Sequence, residues 1–320
     1  MYNLDERQQE VVDSRDSMVC IAGPGSGKTR VLTEKARSLM EDGNLIVCLC
    51  FTRSAAMEMS SRVPHVPACT IHSLCCQAVG WEIPPGGEEE EGYAYLLHKF
   101  LWQQSKDPLQ YDWVLVDECQ DLNPMELDVV LSLVKQNLFA VGDPYQSIYG
   151  FQGALGPSVV DIFRKCGCEE IPLQNNYRSR PNIVEMLEKV YKRGLVSAGT
   201  KETSLTAVLC RRNDQLFEVS EFLKSKRVPH RVRLSARFGN NREYDVAGQS
   251  NLRLMTIHAS KGHEFDNVIL FDWYPNHPGE EERVLYVAVA RASKNYSWVC
   301  NLQELLEEVQ KFTQLEVTVP

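Results

Sequence analysis

No apolar run in the 320-residue sequence approaches the ~20 residues of a bilayer-spanning helix, so no such helix is expected. The first residues, Met1-Tyr-Asn-Leu-Asp-Glu-Arg7, show neither a basic region nor an apolar one, and a secretory signal is not expected there. No Cys-x-x-Cys pair exists. The close pairs among eleven cysteines are Cys48/Cys50, Cys75/Cys76 and Cys166/Cys168, and no four-ligand zinc set is visible. Reduced, buried thiols in a cytoplasmic, reducing compartment are the expectation. Internal repeats and long linkers are missing. Positive charge is also scarce: 34 Lys and Arg face 43 Asp and Glu, a net charge of −9. That excludes a uniformly basic nucleic-acid coat, but not a local basic track on an acidic body.

Hydrophobic residues make up 43% and charged residues 24%, which excludes disordered and fibrous classes. At roughly 150 residues per domain, the length predicts two domains. Strand-like runs recur at Met18–Ala22, Leu45–Phe51, Asp112–Asp117, Leu138–Val141, Leu205–Cys210, Asn267–Phe271 and Tyr296–Cys300. Several are apolar throughout, which suits parallel strands covered on both faces. Helix-like stretches lie between them, at Lys28–Glu41, Met125–Lys135, Pro181–Lys192 and Asp214–Ser225. The alternation predicts an α/β fold with parallel sheets. Two stretches read as loops, the acidic Pro84–Gly92 and the polar Arg237–Asp245. The domain boundary is expected near Cys166–Pro172, dividing the chain into residues 1–170 and 171–320.

Ala22-Gly-Pro-Gly-Ser-Gly-Lys28-Thr29 follows an apolar strand and opens a helix. This is the context a phosphate-binding loop requires. Gly23, Gly25, Ser26 and Gly27 let backbone amides wrap an anion at the helix N-terminus. Lys28 is placed to reach the β- and γ-phosphates, Thr29 to ligate Mg²⁺, and Arg30 to flank the nucleotide. A second apolar strand, Tyr111–Val116, ends in Asp117 and Glu118. Asp117 is the candidate Mg²⁺ partner and Glu118 the candidate base for the attacking water. Together the two elements predict nucleoside triphosphate hydrolysis.

The continuation Val116-Asp-Glu-Cys-Gln-Asp121, and then Val141-Gly-Asp-Pro-Tyr-Gln-Ser-Ile-Tyr-Gly-Phe-Gln-Gly-Ala154, resembles the UvrD/Rep-like branch of superfamily 1 helicases. Further segments resemble that family in order along the chain: Leu4–Gln8, Phe51–Met59, Thr70-Ile-His-Ser73, Leu173–Ser179, Met255–Phe265 and Glu281–Ala292. The resemblance implies two tandem RecA-like P-loop NTPase domains with ATP in the cleft between them. It implies that Gln8 bonds the adenine edge, Tyr177 stacks on it and Glu264 contacts the ribose. Gln146 would sense the γ-phosphate. Arg178 and Arg291 would be arginine fingers, a role that planar, permanently charged guanidinium suits. Taken alone, Arg178 and Arg291 read first as surface ion-pair partners, Tyr177 as core, and His258 as a satisfied buried histidine; each gains its functional reading only from the surrounding motif.

On the DNA side, the resemblance places base-stacking aromatics at Tyr149 and Phe151, with Phe51, Thr52, Arg53, His72, Gln152 and His258 along the same track. Phe51 fits the core as well. The family's Trp-Arg-Gly-Ala is Phe151-Gln152-Gly-Ala here, and Asn-Lys is Arg53-Ser54. The loss of a charge at Gln152 predicts a shallower salt dependence of binding. Ala290 replaces a Thr before Arg291. Full-size relatives carry an inserted subdomain in each half. Residues 74–110 and 181–250 leave no room for insertions of ~100 residues. The sequence therefore reads as a minimal ATP- and Mg²⁺-dependent single-stranded DNA translocase or helicase. Its 3′→5′ direction is implied by the resemblance only, and a protein partner is a candidate source of duplex contacts. The rival is an ATP-switched DNA- or partner-binding protein without autonomous unwinding. A small nucleotide kinase would not need the motifs of the second half.

Overall fold

The computed structural model describes residues 3–80, 89–234, 242–273 and 280–313. The chain divides into two units. The first comprises Met1–Gly23 and Gly27–Leu173, and the second comprises Pro24–Ser26 and Gln174–Pro320.

In the first unit the order is α1 (Glu6–Asp13), β1 (Met18–Ala22), α2 (Lys28–Glu41), β2 (Ile46–Leu49), α3 (Arg53–Arg62), β3 (Ala68–Cys69), α4 (Ile71–Val79), α5 (Glu89–Gln104), β4 (Tyr111–Val116), α6 (Pro124–Leu133), β5 (Val134–Gly142), α7 (Ser158–Lys165) and β6 (Glu169–Leu173). The six strands form one parallel sheet in the order β3-β2-β4-β5-β1-β6. Successive side chains of a strand point to opposite faces, and both faces here are covered. Val19, Val47, Val114 and Val116 pack with α4 to α7, while Met18, Cys20, Cys48 and Leu115 pack with α1 to α3. This is why the strands are apolar throughout.

The second unit continues with β7 (Asn175–Asn176), α8 (Pro181–Tyr191), β8 (Val196–Ser197), β9 (Thr206–Cys210), α9 (Asn213–Ser225), β10 (His230–Leu234), β11 (Arg242–Val246), β12 (Leu252–Thr256), β13 (Phe265–Phe271), α10 (Glu280–Ala290), β14 (Ala292–Val299) and α11 (Leu302–Thr313). Its main sheet runs β11-β10-β12-β9-β13-β14, parallel except for β11 at one edge. Val208, Leu254, Ile269 and Phe271 pack against α9 and α11. Residues 181–250 thus supply strands of the core sheet rather than an inserted body.

Three local expectations need revision. The helix expected to reach Lys135 stops at Leu133, because Val134 is extended and pairs with Tyr111 at the start of β5. The loop expected over Arg237–Asp245 is in part a strand. Residues 242–246 pair with β10, with Arg231 opposite Asp245 and Arg233 opposite Glu243, both ion-paired. Charge alternation conceals that edge strand from any hydrophobic pattern, while residues 235–241 lie outside those described. The acidic loop is helical from Glu89 onward, and residues 84–88 lie outside those described. β6 completes the first sheet, and the first unit ends at Leu173.

All eleven cysteines are free. Among the described residues, no helix is long and apolar enough to cross a membrane, and no group of three His, Cys, Asp or Glu side chains is placed to hold a metal ion.

Candidate functional site

Ligands of open α/β sheets bind beyond the carboxyl ends of the strands. In the first unit β4, β5 and β1 are neighbours, and all three end in candidate residues. After β1 comes the glycine loop. Gly27 is the N-cap of α2 with φ +82°, a left-handed conformation that suits glycine. A Cβ there would also stand 3.0 Å from the Gln8 amide nitrogen. Lys28, Thr29 and Arg30, all half-buried, form the first turn of α2. The Lys28 ammonium turns back toward the Ala22 carbonyl at 3.5 Å. Gln8 is buried in α1, where it closes a reciprocal capping box with Asp5. Its amide oxygen accepts from the Asp5 N–H at 3.1 Å. An amide oxygen has a second lone pair, so the cap is compatible with reading a base.

After β4, Asp117 is 9% exposed and accepts the Glu118 N–H at 3.0 Å. Glu118 sits at φ 51°, ψ 46°. A non-glycine residue in this left-handed region costs about 1–3 kcal/mol and persists where its surroundings over-determine it. One such constraint is visible: the Glu118 Oε2 accepts from Gln120 Nε2 at 2.6 Å. Gln120 is fully buried, and its Oε1 accepts the Asp143 N–H at 2.9 Å. Asp143, also fully buried, accepts from Gln146 Nε2 at 2.9 Å and from the Tyr145 N–H at 3.1 Å. A continuous polar relay, Glu118–Gln120–Asp143–Gln146, therefore ties the end of β4 to the turn after β5. Gln120 and Asp143 are not among the residues that the sequence singles out. Both stand in quoted motifs, but nothing in a linear reading pairs residues 23 positions apart.

Gly142 is the floor of this relay. A Cβ there would lie 2.4 Å from Gln120 Oε1 and 2.8 Å from Cys119 Sγ. Gly142→Ala is expected to destabilise the protein by about 1–3 kcal/mol, the range for overpacking a close-packed site. Urea unfolding monitored by circular dichroism checks this, and an unchanged midpoint would disprove it.

The segment after β5 carries Tyr149 and Phe151, and a third ring, Phe51, comes from the segment after β2. Phe51 and Tyr149 lie 5.1 Å apart between centroids, and Tyr149 and Phe151 lie 6.1 Å apart. Phe51 and Tyr149 are half-buried, while Phe151 is 64% exposed. Phe51 is thus no closed core residue. Thr52 caps α3 by accepting the Ala55 N–H at 3.1 Å, and exposed Arg53 opens that helix. His72 stands in the first turn of α4, 5.5 Å from the Tyr93 ring. Burial, helped by the Arg53 charge, lowers its pKa below the usual histidine value. Gln152 is exposed on the turn that holds Phe151.

The second unit holds the other candidates. Buried Asn176 donates from Nδ2 to the Pro24 carbonyl at 2.8 Å, and the Tyr177 N–H donates to the Gly25 carbonyl at 2.9 Å. Gly25 has φ +68°, and a Cβ on it would meet Arg178 Cβ at 2.6 Å. Ser26 is buried and Tyr177 is 36% exposed. Arg178 grips Glu264 Oε1 through Nε at 3.0 Å and Nη2 at 2.6 Å, and its Nη1 donates to the Ala290 carbonyl at 3.1 Å. Lys201 Nζ takes the other Glu264 oxygen at 2.6 Å. Burial alone would raise the Glu264 pKa, but the two cations outweigh it and bring it down to about 2. Lys201 carried no sequence signal. Arg291 is buried, with Nε on the Val287 carbonyl at 3.2 Å and Nη1 on the His263 carbonyl at 3.3 Å. His258 is half-buried in a single 3-10 turn after β12.

Two parallel-sheet units, one with a glycine loop at β1 and carboxylates at the end of β4, define a tandem RecA-like P-loop NTPase. The family follows from the comparisons. An AAA domain model matches residues 8–152, and a UvrD-like helicase C-terminal domain model matches residues 234–300. DNA helicase IV of Escherichia coli is 26% identical, over 75% of this chain and 41% of its own. The ATP-dependent DNA helicase PcrA of Staphylococcus epidermidis is 24% identical, over 70% of this chain and 46% of its own. The chain belongs to the UvrD-like helicases of superfamily 1, and it spans less than half the length of these two relatives. The fold is also that of a Bacteroides Pif1 crystallised with single-stranded DNA, with a TM-score of 0.53, 13% identity and 97% coverage of both chains.

Proposed function

We propose that this chain is an ATP-hydrolysing motor on single-stranded DNA, moving 3′→5′, with ATP held between the two RecA-like units. The observation that carries the proposal is the run from Asp143 to Phe151. One short segment after β5 holds Gln146 on the polar relay and Tyr149 and Phe151 in the aromatic row, which ends at exposed Phe151. A shift at the γ-phosphate end of such a short, hydrogen-bonded segment reaches the stacking end directly.

In this reading the glycine loop and Lys28 bind the phosphates. Glu118, oriented by Gln120, takes the proton of the attacking water. Gln146 positions that water. Arg178 and Arg291 neutralise charge that develops in phosphoryl transfer, the point at which fixed cations contribute most. Thr29 and Asp117 are one hydroxyl and one carboxylate. That donor pair fits Mg²⁺, which takes one or two protein ligands and completes its shell with water and phosphate oxygens. When bound, the ion would supply charge neutralisation for the triphosphate.

Stacking contributes about 1–3 kcal/mol per base. Phe151→Ala is therefore expected to weaken binding of a fluorescent oligo-dT strand by roughly 5- to 150-fold, with ATP binding unchanged. Fluorescence anisotropy measures it, and DNA affinity within twofold of the parent would remove Phe151 from the track. Gln152 in place of the family's Arg supports the rival reading, a switch that binds DNA without travelling along it.

A further inference from the structure

Lys35 is fully buried in the middle of α2. Its ammonium donates to the carbonyls of Val11 at 3.0 Å, Val12 at 3.4 Å and Ser14. These are carbonyls at the C-terminal end of α1, where the helix dipole is negative and a cation is favoured. The Trp113 and Phe139 rings lie beneath it, with centroids at 5.0 and 5.8 Å. A buried lysine with three carbonyl acceptors and two aromatic faces is a built site, since an isolated buried ammonium would be prohibitive. Arg15 reinforces the same end from outside, donating to Val12, Asp13 and Ser14 carbonyls and pairing with Asp42 at 2.7 Å.

What this clamp secures is a helix of only eight residues. Isolated helices this short are marginal in water, so its placement depends on tertiary anchors. Its buried side chains, Gln8, Val11 and Val12, share one face at helical spacing. The carbonyls held by Lys35 lie one turn beyond Gln8, whose amide nitrogen stands against Gly27.

We propose that Lys35 is a positioning residue for base selection, clamping the C-terminal end of α1 to α2 so that Gln8 is held in register with the phosphate loop. The proposal rests on the reading of Gln8 as the adenine contact. Lys35 makes no contact with nucleotide itself. Its role is geometric, since a displacement of 1 Å at a recognition group is enough to lose it.

The test is the equilibrium affinity of the whole chain for the fluorescent nucleotides mant-ATP and mant-GTP, for the parent, Lys35→Met, Lys35→Gln and Gln8→Ala. Thermal melts identify the variants that fold. Lys35→Gln retains a donor, so a folded variant remains if the apolar one fails. The expected result is a roughly tenfold loss of mant-ATP affinity in the Lys35 variants, with mant-GTP affinity within twofold. Combining either with Gln8→Ala should add nothing further, because both act on one contact. Equal losses for both nucleotides would show a merely structural lysine and overturn the proposal. Selectivity lost in Gln8→Ala but intact in the Lys35 variants would overturn the clamp alone. Selectivity intact in Gln8→Ala would overturn the adenine reading and the clamp with it.

Discussion

Glu118→Gln is expected to lower the turnover number for ATP by about a thousandfold, within the range for loss of a general base. Nucleotide affinity should stay within a few-fold. The substitution is nearly isosteric, and a glutamine oxygen can still accept from Gln120 Nε2, which holds Glu118 at 2.6 Å. The left-handed backbone at φ 51° is unaffected. What is removed is proton affinity, and only the chemical step draws on that. Steady-state hydrolysis together with mant-ATP binding separates the two effects. Turnover within tenfold of the parent would exclude Glu118 as the base. Gln120→Ala is a useful companion, because it frees Glu118 from the relay while leaving the carboxylate in place.

Arg291→Ala is expected to lower kcat by about a thousandfold or more, the range for loss of an arginine finger, with KM changed only a few-fold. The structure requires a control. Arg291 is 2% exposed and bonds the Val287 and His263 carbonyls, so truncation also leaves buried acceptors unpaired. Arg291→Lys keeps the charge and a donor but not the planar fork. If Arg291 acts on transferring phosphate, the lysine variant melts near the parent temperature and still loses most of its kcat. A lysine variant with full kcat would assign Arg291 to the fold of the second unit. Arg178 differs in that it already pairs with Glu264 at 2.6 Å, a carboxylate that Lys201 also holds. On the proposed role of Arg178 at phosphate, Lys201 would keep that carboxylate neutralised.

The parts of the fold legible in the sequence are those whose signal is local. The glycine loop stands between an apolar strand and a helix, and α2 spans Lys28–Glu41 as its pattern predicts. Doubly covered strands such as Ile46–Leu49 are apolar at every position. Elements that depend on distant partners were less legible. β11 is an edge strand written in charges, and its partner residues lie 10 to 14 positions away. Lys35 looks like one more solvated lysine in a helix rich in charge, and only the fold shows it capping another helix. The proposed catalytic side chains each stand in a short motif. Gln120 and Asp143, which hold Glu118 and Gln146, become visible only with β4 and β5 side by side.

The central claim is that ATP hydrolysis is coupled to travel along single-stranded DNA. Steady-state hydrolysis measured with single strands of increasing length tests it most directly. A motor hydrolyses more ATP per binding event on a longer strand, so the stimulated rate at saturating DNA should climb with length toward a plateau. Tight binding to DNA with no stimulation, or stimulation independent of length, would contradict the claim and identify a nucleotide-controlled binding protein instead.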